Sequence, residues 1–169
     1  MRPLLIVDGY NVIGAWGDKE RRAWSIDLCR DKLCQRLEEH SGYTGEEIVL
    51  VFDGYQSDRR LATEEKHGAL TLVYTRHGET ADSYIERLVA LTPRYRQVRV
   101  ATSDGLEQSQ ILSTGATRLS SRELLLEMRQ AREKGMGAHQ AQSAARYKRP
   151  IAGRLSADTL AALEKLRRG

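Results

Sequence analysis

The sequence predicts an α/β fold, with a central parallel sheet flanked by helices in three layers, and three observations predict it. Short apolar runs recur at Leu4–Val7, Ile48–Phe52, Leu72–Tyr74 and Val98–Ala101, and they are nearly continuous in Val, Ile and Leu. Strands covered on both faces read that way, whereas half-exposed strands alternate. Between these runs lie stretches whose apolar residues recur at helical spacing, the order expected of a parallel sheet with crossover helices. Finally, Asp8, Asp53 and Asp104 close three of the runs, and Asp82 opens a helix after a fourth. In an open parallel sheet the carboxyl ends of the strands share one edge, and ligands bind there.

In chain order, a strand is expected over 3–8 and a helix over 19–40, with Ile26, Cys29, Leu33 and Leu37 on one face. Gly42 and Gly45 break the chain before a strand at 47–52. Residues 56–67, polar and charged, read as a helix carrying Arg59, Arg60 and Lys66. A strand at 70–75 leads to a helix at 80–91, where Ala81, Ile85, Leu88 and Val89 share a face and Pro93 ends the run. A strand at 97–101, a helix at 105–114 ended by Gly115, a short strand at 117–119 and a long helix at 120–134 complete the body. Residues 135–155 read as a flexible arm with a basic knot, Arg146-Tyr147-Lys148-Arg149. Ser156 then caps a last helix with Leu160, Leu163 and Leu166 as its apolar stripe. The expected organisation is a domain over 1–134 and a basic helical tail over 135–169.

Hydrophobic residues make up 40% of the 169 and charged residues 30%, too apolar for disorder. No apolar run approaches the roughly 20 residues of a membrane span. Met1-Arg2-Pro3 leads straight into the first strand without a signal-peptide pattern, so the expected location is cytoplasmic, or the plastid stroma in a plastid-bearing organism. Cys29 and Cys34 sit five apart on a helix, about 140° around its axis, which does not suit a disulfide. They are expected to be small core-facing or half-buried side chains. The net charge of +4 hides an asymmetry: residues 1–128 carry 17 Lys/Arg and 20 Asp/Glu, whereas 129–169 carry 10 and 3. A basic tail on an acidic body suits a phosphate-rich partner, because cationic side chains displace counterions from a nucleic-acid backbone.

Acids gathered on one edge repel one another unless a cation holds them. Several carboxylates without a Cys or His partner suit hard cations such as Mg²⁺ or Mn²⁺ better than zinc. Phosphodiester cleavage assisted by such ions needs carboxylates that bind through few direct bonds and leave room for water and substrate oxygens. Each acid also has a plainer reading. Asp53-Gly54 fits a turn in which Gly supplies a positive φ, Asp104 fits a helix N-cap, and Asp82 in a first turn complements the helix dipole.

Four segments, Ile6-Val7-Asp8-Gly9-Tyr10-Asn11-Val12-Ile13, Val51-Phe52-Asp53-Gly54, Glu79-Thr80-Ala81-Asp82-Ser83-Tyr84-Ile85 and Ala101-Thr102-Ser103-Asp104, together resemble the motifs of the NYN domain, a PIN-like nuclease fold. More narrowly they resemble its bacterial and plastid YacP-like branch. The resemblance runs through about residues 1–130, and the ending Leu163-Glu164-Lys165-Leu166-Arg167-Arg168-Gly169 is similar to that branch too. It implies Mg²⁺- or Mn²⁺-dependent endoribonuclease chemistry and cleavage of messenger RNA in association with the translating ribosome. Carried over by position, Asp8, Asp82 and Asp104 match the metal-binding acids. Asn11 would orient a water or a phosphate oxygen, Thr80 and Ser103 would bond neighbouring carboxylates or a phosphate, Asp53 would support the site, and Glu79 is the nearest candidate for a fourth acid.

RNA contacts are expected from Arg59, Arg60 and Lys66 after the second strand, from Arg76 after the third, and from Arg146, Lys148 and Arg149 in the tail. Tyr10 and Tyr55 offer faces for base stacking, or pack partly buried. His77 fits a surface histidine better than a proton-transfer group. A haloacid-dehalogenase-type phosphatase would need a second Asp where Tyr10 stands, and no glycine-rich phosphate loop follows the first strand. The alternative that remains is a non-catalytic RNA- or ribosome-binding module on the same fold.

Overall fold

The structure is a computed structural model that describes residues 1–17, 22–54, 57–103 and 115–148, with side chains described only up to residue 135 in its last helix. Asp104, Tyr55, Arg149, the helix expected at 105–114 and the last helix from Ser156 lie outside the described residues. The chain divides into two compact units, Met1–Arg132 and Glu133–Gly169.

Six strands form one sheet: β1 (Leu4–Asp8), β2 (Glu47–Phe52), β3 (Thr63–His67), β4 (Leu70–Tyr74), β5 (Val98–Ala101) and β6 (Thr117–Leu119). Their order is β3-β4-β2-β1-β5-β6, and every pairing is parallel except β3 with β4. The described helices are α1 (Gly9–Gly14), α2 (Ile26–Thr44), α3 (Ala81–Leu91) and α4 (Ser121–Lys148).

Alternate strand residues serve two cores. Leu5, Val7, Leu50, Phe52 and Leu72 pack with Val12, Leu33, Leu37 and Leu124, which belong to α1, α2 and α4. Leu4, Ile6, Val51, Val73 and Val100 pack with Ile85 and Val89 of α3 on the opposite face. Burial on both faces explains why the strand runs do not alternate. Each fully buried Leu or Ile contributes about 1.5–3 kcal/mol relative to exposure.

Four elements differ from the sequence expectation. The 56–67 segment contains the strand β3 and not a helix; all five of its side chains are exposed, so it carries no apolar stripe to read. Gly68, at φ 62°, turns it back as an antiparallel edge strand on β4. The short α1 follows β1 directly. Helix α2 begins at Ile26, where the Ser25 side chain accepts a hydrogen bond from the Leu28 amide at 3.2 Å, and it ends at Gly45 with φ 76°. Helix α4 runs through Lys148 and does not stop near 134. Gly135 and Gly137 cost a helix only about 1 kcal/mol each relative to Ala, and the next residue unable to continue the hydrogen-bond ladder is Pro150.

Both cysteines are free and buried, as expected. Burial, with the Glu38 carboxylate beside it, pushes the Cys34 thiol up to about 12, so it stays protonated. At the amino edge, Arg99 donates to both Glu127 (2.9 Å) and Glu46 (3.0 Å), and His40 lies beside this pair. Burial lowers the His40 pKa below its ordinary 6.5, outweighing the opposing pull of Glu46 and Glu127. The unfolded chain therefore takes up a proton that the folded state resists. His40's contribution is intact above pH 6.5 and is lost as the pH falls below it. Urea unfolding between pH 7.5 and 5 is expected to show this loss, and His40→Gln to flatten the profile. Parallel profiles for the two proteins would refute the assignment.

Candidate active site at the carboxyl edge of the sheet

The order β2-β1-β5 places three strand ends side by side, with β1 central. Asp8 ends β1 opposite Val51, so Asp53 emerges two residues further along the neighbouring strand. On the other side Val7 pairs with Ala101, so Thr102 follows beside Asp8 and Ser103 comes next, leading in sequence into Asp104. Asp8 thus closes β1, and Ser103, the residue before Asp104 in sequence, leaves the adjacent strand β5. Asp8 is only 8% exposed, a carboxylate set into the edge.

Asn11 ties the edge together. Its Oδ1 accepts from the Ser103 amide at 3.0 Å and from the Ser121 hydroxyl at 2.7 Å. One side chain of α1 thereby fixes both the segment that leads to Asp104 and the start of α4. Both bonds engage the side-chain oxygen of Asn11. The amide of Ser103, not its hydroxyl, makes this contact.

Asp53 reaches across to the third layer, where its Oδ2 accepts from the Ala81 amide at 3.4 Å. A carboxylate at a helix N-terminus is favourable, and this one sets where α3 begins. Thr80 caps the same helix, its hydroxyl accepting from the Ser83 amide at 3.1 Å. Asp82, half-buried, stands in the first turn so positioned. The two Asp-Gly pairs among the described residues, Asp8-Gly9 and Asp53-Gly54, do not use positive φ. A Cβ on Gly9 would lie 2.3 Å from the Phe52 ring, and one on Gly54 would lie 2.0 Å from the Thr75 carbonyl oxygen. These glycines are needed for close approach, not for turn geometry.

Glu79 has other work. It is 7% exposed and accepts from both terminal nitrogens of Arg87, at 2.8 and 3.3 Å, with Arg76 Nε at 3.6 Å. Two guanidinium groups already balance its charge. Thr75, which the sequence did not mark, joins the loops after β2 and β4: its hydroxyl accepts from the Gly54 amide at 2.6 Å and donates to the Glu79 carbonyl at 2.8 Å.

A cleft of about 750 Å³ lies beside this corner, lined by Arg59, Arg60, Arg76, His77 and Ser83 among others. Three of the arginines expected to meet RNA are thus in one place. His77 builds the wall: its amide donates to the Arg59 carbonyl at 2.7 Å and its Nδ1 to the Ser57 carbonyl at 2.7 Å. Lys66 is not part of the cleft. Its register opposite Thr71 sets it three residues, about 10 Å, back from the strand ends, because β3 runs antiparallel. Tyr10 packs at 4.9 Å from Phe52, and its hydroxyl accepts from Arg30 at 2.9 Å.

The donors that Asp8 and Asp82 offer are carboxylate oxygens, and both cysteines are in the core, so the chemistry of the set fits a hard cation. Among the described residues no three His, Cys, Asp or Glu side chains gather as a metal-holding group. Asp104 falls outside that set.

The model of one protein family, the YacP-like NYN domain, matches residues 5–168. The chain belongs to this family. Among relatives, YacP of Bacillus subtilis (strain 168) is 42% identical over 127 residues, 74% of each chain. Crystal structures of Rae1 (YacP) from Bacillus subtilis are also similar to this chain. One of them, a single-residue mutant of that protein, superposes with a TM-score of 0.69 at 37% identity, covering 88% of this chain and 86% of that one. A second structure of Rae1 (YacP) gives 0.68 at 36%, covering 100% and 96%. Six mostly parallel strands flanked by helices are thus the PIN-like architecture of a nuclease-like NYN domain. No helix among the described residues is long and apolar enough to cross a membrane.

Proposed function

We propose that this YacP-like NYN domain is a Mg²⁺- or Mn²⁺-dependent endoribonuclease that cuts messenger RNA on the translating ribosome. The supporting observation is the strand order that sets Asp8 at the central strand end, flanked by the start of α3 with Asp82 and by the Ser103 segment that leads to Asp104. Asp8, Asp82 and Asp104 would hold the cation. When bound, it supplies Lewis acidity and charge neutralisation at the scissile phosphate. Asn11 and Asp53 hold the elements that carry these acids. Arg59, Arg60 and Arg76 bind the flanking phosphates from their cleft, which places the RNA backbone against the edge.

The test is cleavage of purified RNA, free and ribosome-bound, with Mg²⁺, Mn²⁺, Ca²⁺ or EDTA. Activity is expected with Mg²⁺ or Mn²⁺ and to vanish in EDTA. Ca²⁺ should support little turnover because it coordinates loosely at longer distances. Full activity in EDTA would end the metal-dependent reading. Binding to RNA and ribosomes with no cleavage under any of these conditions would favour a non-catalytic module.

Ribosome docking is supported by the basic C-terminal part of the chain, whose last 41 positions carry 10 of the 27 Lys/Arg residues. Arg146, Lys148 and Arg149 changed together to Ala are expected to weaken ribosome association and lower the log–log salt slope by about three units, roughly one per phosphate contact. Affinity and slope unchanged across a salt series would remove the tail from the account.

A further inference from the structure

A second cavity, of about 330 Å³, opens on the helical face between α2 and α4 and shares no residue with the carboxyl-edge cleft. Its volume is that of a small-molecule site. Two of its lining residues are deeply buried yet polar: Trp16 is 5% exposed and His40 2%. Trp16 Nε1 and both ring nitrogens of His40 have no hydrogen-bond partner among the described residues. The ion-pair contact of His40 Nε2 with Glu46 is 3.9 Å, beyond hydrogen-bonding range. Buried polar atoms are ordinarily bonded, and leaving them unpaired costs free energy. With burial keeping it neutral, His40 offers one donor and one acceptor, and Trp16 adds a donor.

The rim has the opposite character. Arg129 and Arg132 are exposed at the mouth, and Arg132 is only loosely balanced by Glu39 at 3.7 Å. Arg36 stacks 5.1 Å over Trp16 and 5.6 Å over Trp24, adding positive charge and a planar surface. Tyr43 lines the same mouth. Unpaired donors and an acceptor buried just beneath the floor, planar groups along the wall and guanidinium groups at the mouth suit a ligand with a heterocyclic end and an anionic end.

We infer that this cavity is a nucleotide subsite, in which a base meets Trp16 and His40 while its phosphate rests on Arg129 and Arg132. A free ribonucleotide and one unpaired nucleotide of an RNA chain share this chemistry. The site does not depend on the nuclease reading, because none of its residues lies at the carboxyl edge.

The chain has two tryptophans, Trp16 and Trp24, so its ¹⁵N spectrum carries two indole N–H resonances, and Trp16 reads the pocket directly. The full chain is titrated in EDTA with AMP, GMP, UMP and CMP, with a short single-stranded RNA, and with inorganic phosphate. A saturable shift of the Trp16 resonance with a nucleotide or with the RNA is expected, and which arm responds identifies the source. Arg129→Gln with Arg132→Gln, both exposed, should weaken that binding about tenfold, as expected for lost charge-assisted contacts. Trp16→Phe should weaken it while removing the reporting signal, with a His40 ring resonance as the substitute readout. Asp8→Asn should bind as wild type does, so a failure of the nuclease assignment and a failure of this one are separable. No saturable shift with any probe, an equal response to phosphate alone, or unchanged affinity in the double arginine variant would overturn the inference.

Discussion

Asp8→Asn and Asp82→Asn are each expected to reduce RNA cleavage at least about a thousandfold, the equivalent of about 4 kcal/mol of transition-state stabilisation, with the fold intact. Asn keeps the size of Asp and one of its oxygens, so packing at the end of β1 and in the first turn of α3 is preserved. The negative charge is what disappears, and with it the grip on a divalent cation. Asp8 is the more informative of the two, because it sits on the central strand with little exposure to solvent. Circular dichroism and thermal melting should match the unmodified protein within a few degrees. Near-normal turnover in saturating Mn²⁺ would show that these acids do not carry the reaction.

Gly54→Ala is expected to be the most damaging of the small substitutions, costing about 3 kcal/mol of stability and lowering cleavage about a hundredfold. Its Cβ would sit 2.0 Å from the Thr75 carbonyl oxygen and 3.0 Å from the carbonyl carbon, both backbone atoms. Thr75 cannot retreat freely. Its amide donates to the Phe52 carbonyl at 3.1 Å, and its hydroxyl links the Gly54 amide to the Glu79 carbonyl. Pushing it away would open the joint between the loops after β2 and β4, and with it the contact from Asp53 to the start of α3. Gly14→Ala is the control, since nothing lies within 4 Å of the added carbon. That variant should be neutral or slightly more stable. Wild-type stability in Gly54→Ala would show that the loops yield more easily than this geometry implies.

The sheet was legible where side chains report burial. Leu4–Val7 and Ile48–Phe52 are apolar because both faces of each strand are covered, Val98–Ala101 is apolar apart from the ion-paired Arg99, and those runs are strands. β3 was illegible for the same reason: Thr63-Glu64-Glu65-Lys66-His67 is held by edge hydrogen bonds to β4 and not by packing, and its charges resemble a solvated helix. The site was legible as a set of aspartates at strand ends, but their division of labour was not. That Asp53 bonds the Ala81 amide, 28 residues away, or that Asn11 holds the Ser103 amide, 92 residues away, depends on contacts with no local signature. Glu79 was a candidate fourth acid by position alone; its pairing with Arg87, eight residues on, was not legible in the sequence. The turn reading of Asp53-Gly54 rested on a positive φ that Gly54 does not adopt; what requires glycine there is the Thr75 carbonyl, a contact with no local signature.

The most direct test of the central claim is anomalous diffraction from crystals of the full chain grown with Mn²⁺. An anomalous peak in contact with the carboxylates of Asp8 and Asp82 is the expected result, lost in Asp8→Asn. Strong Mn²⁺ peaks elsewhere with none at this edge, in crystals whose dissolved protein still cleaves RNA, would contradict it.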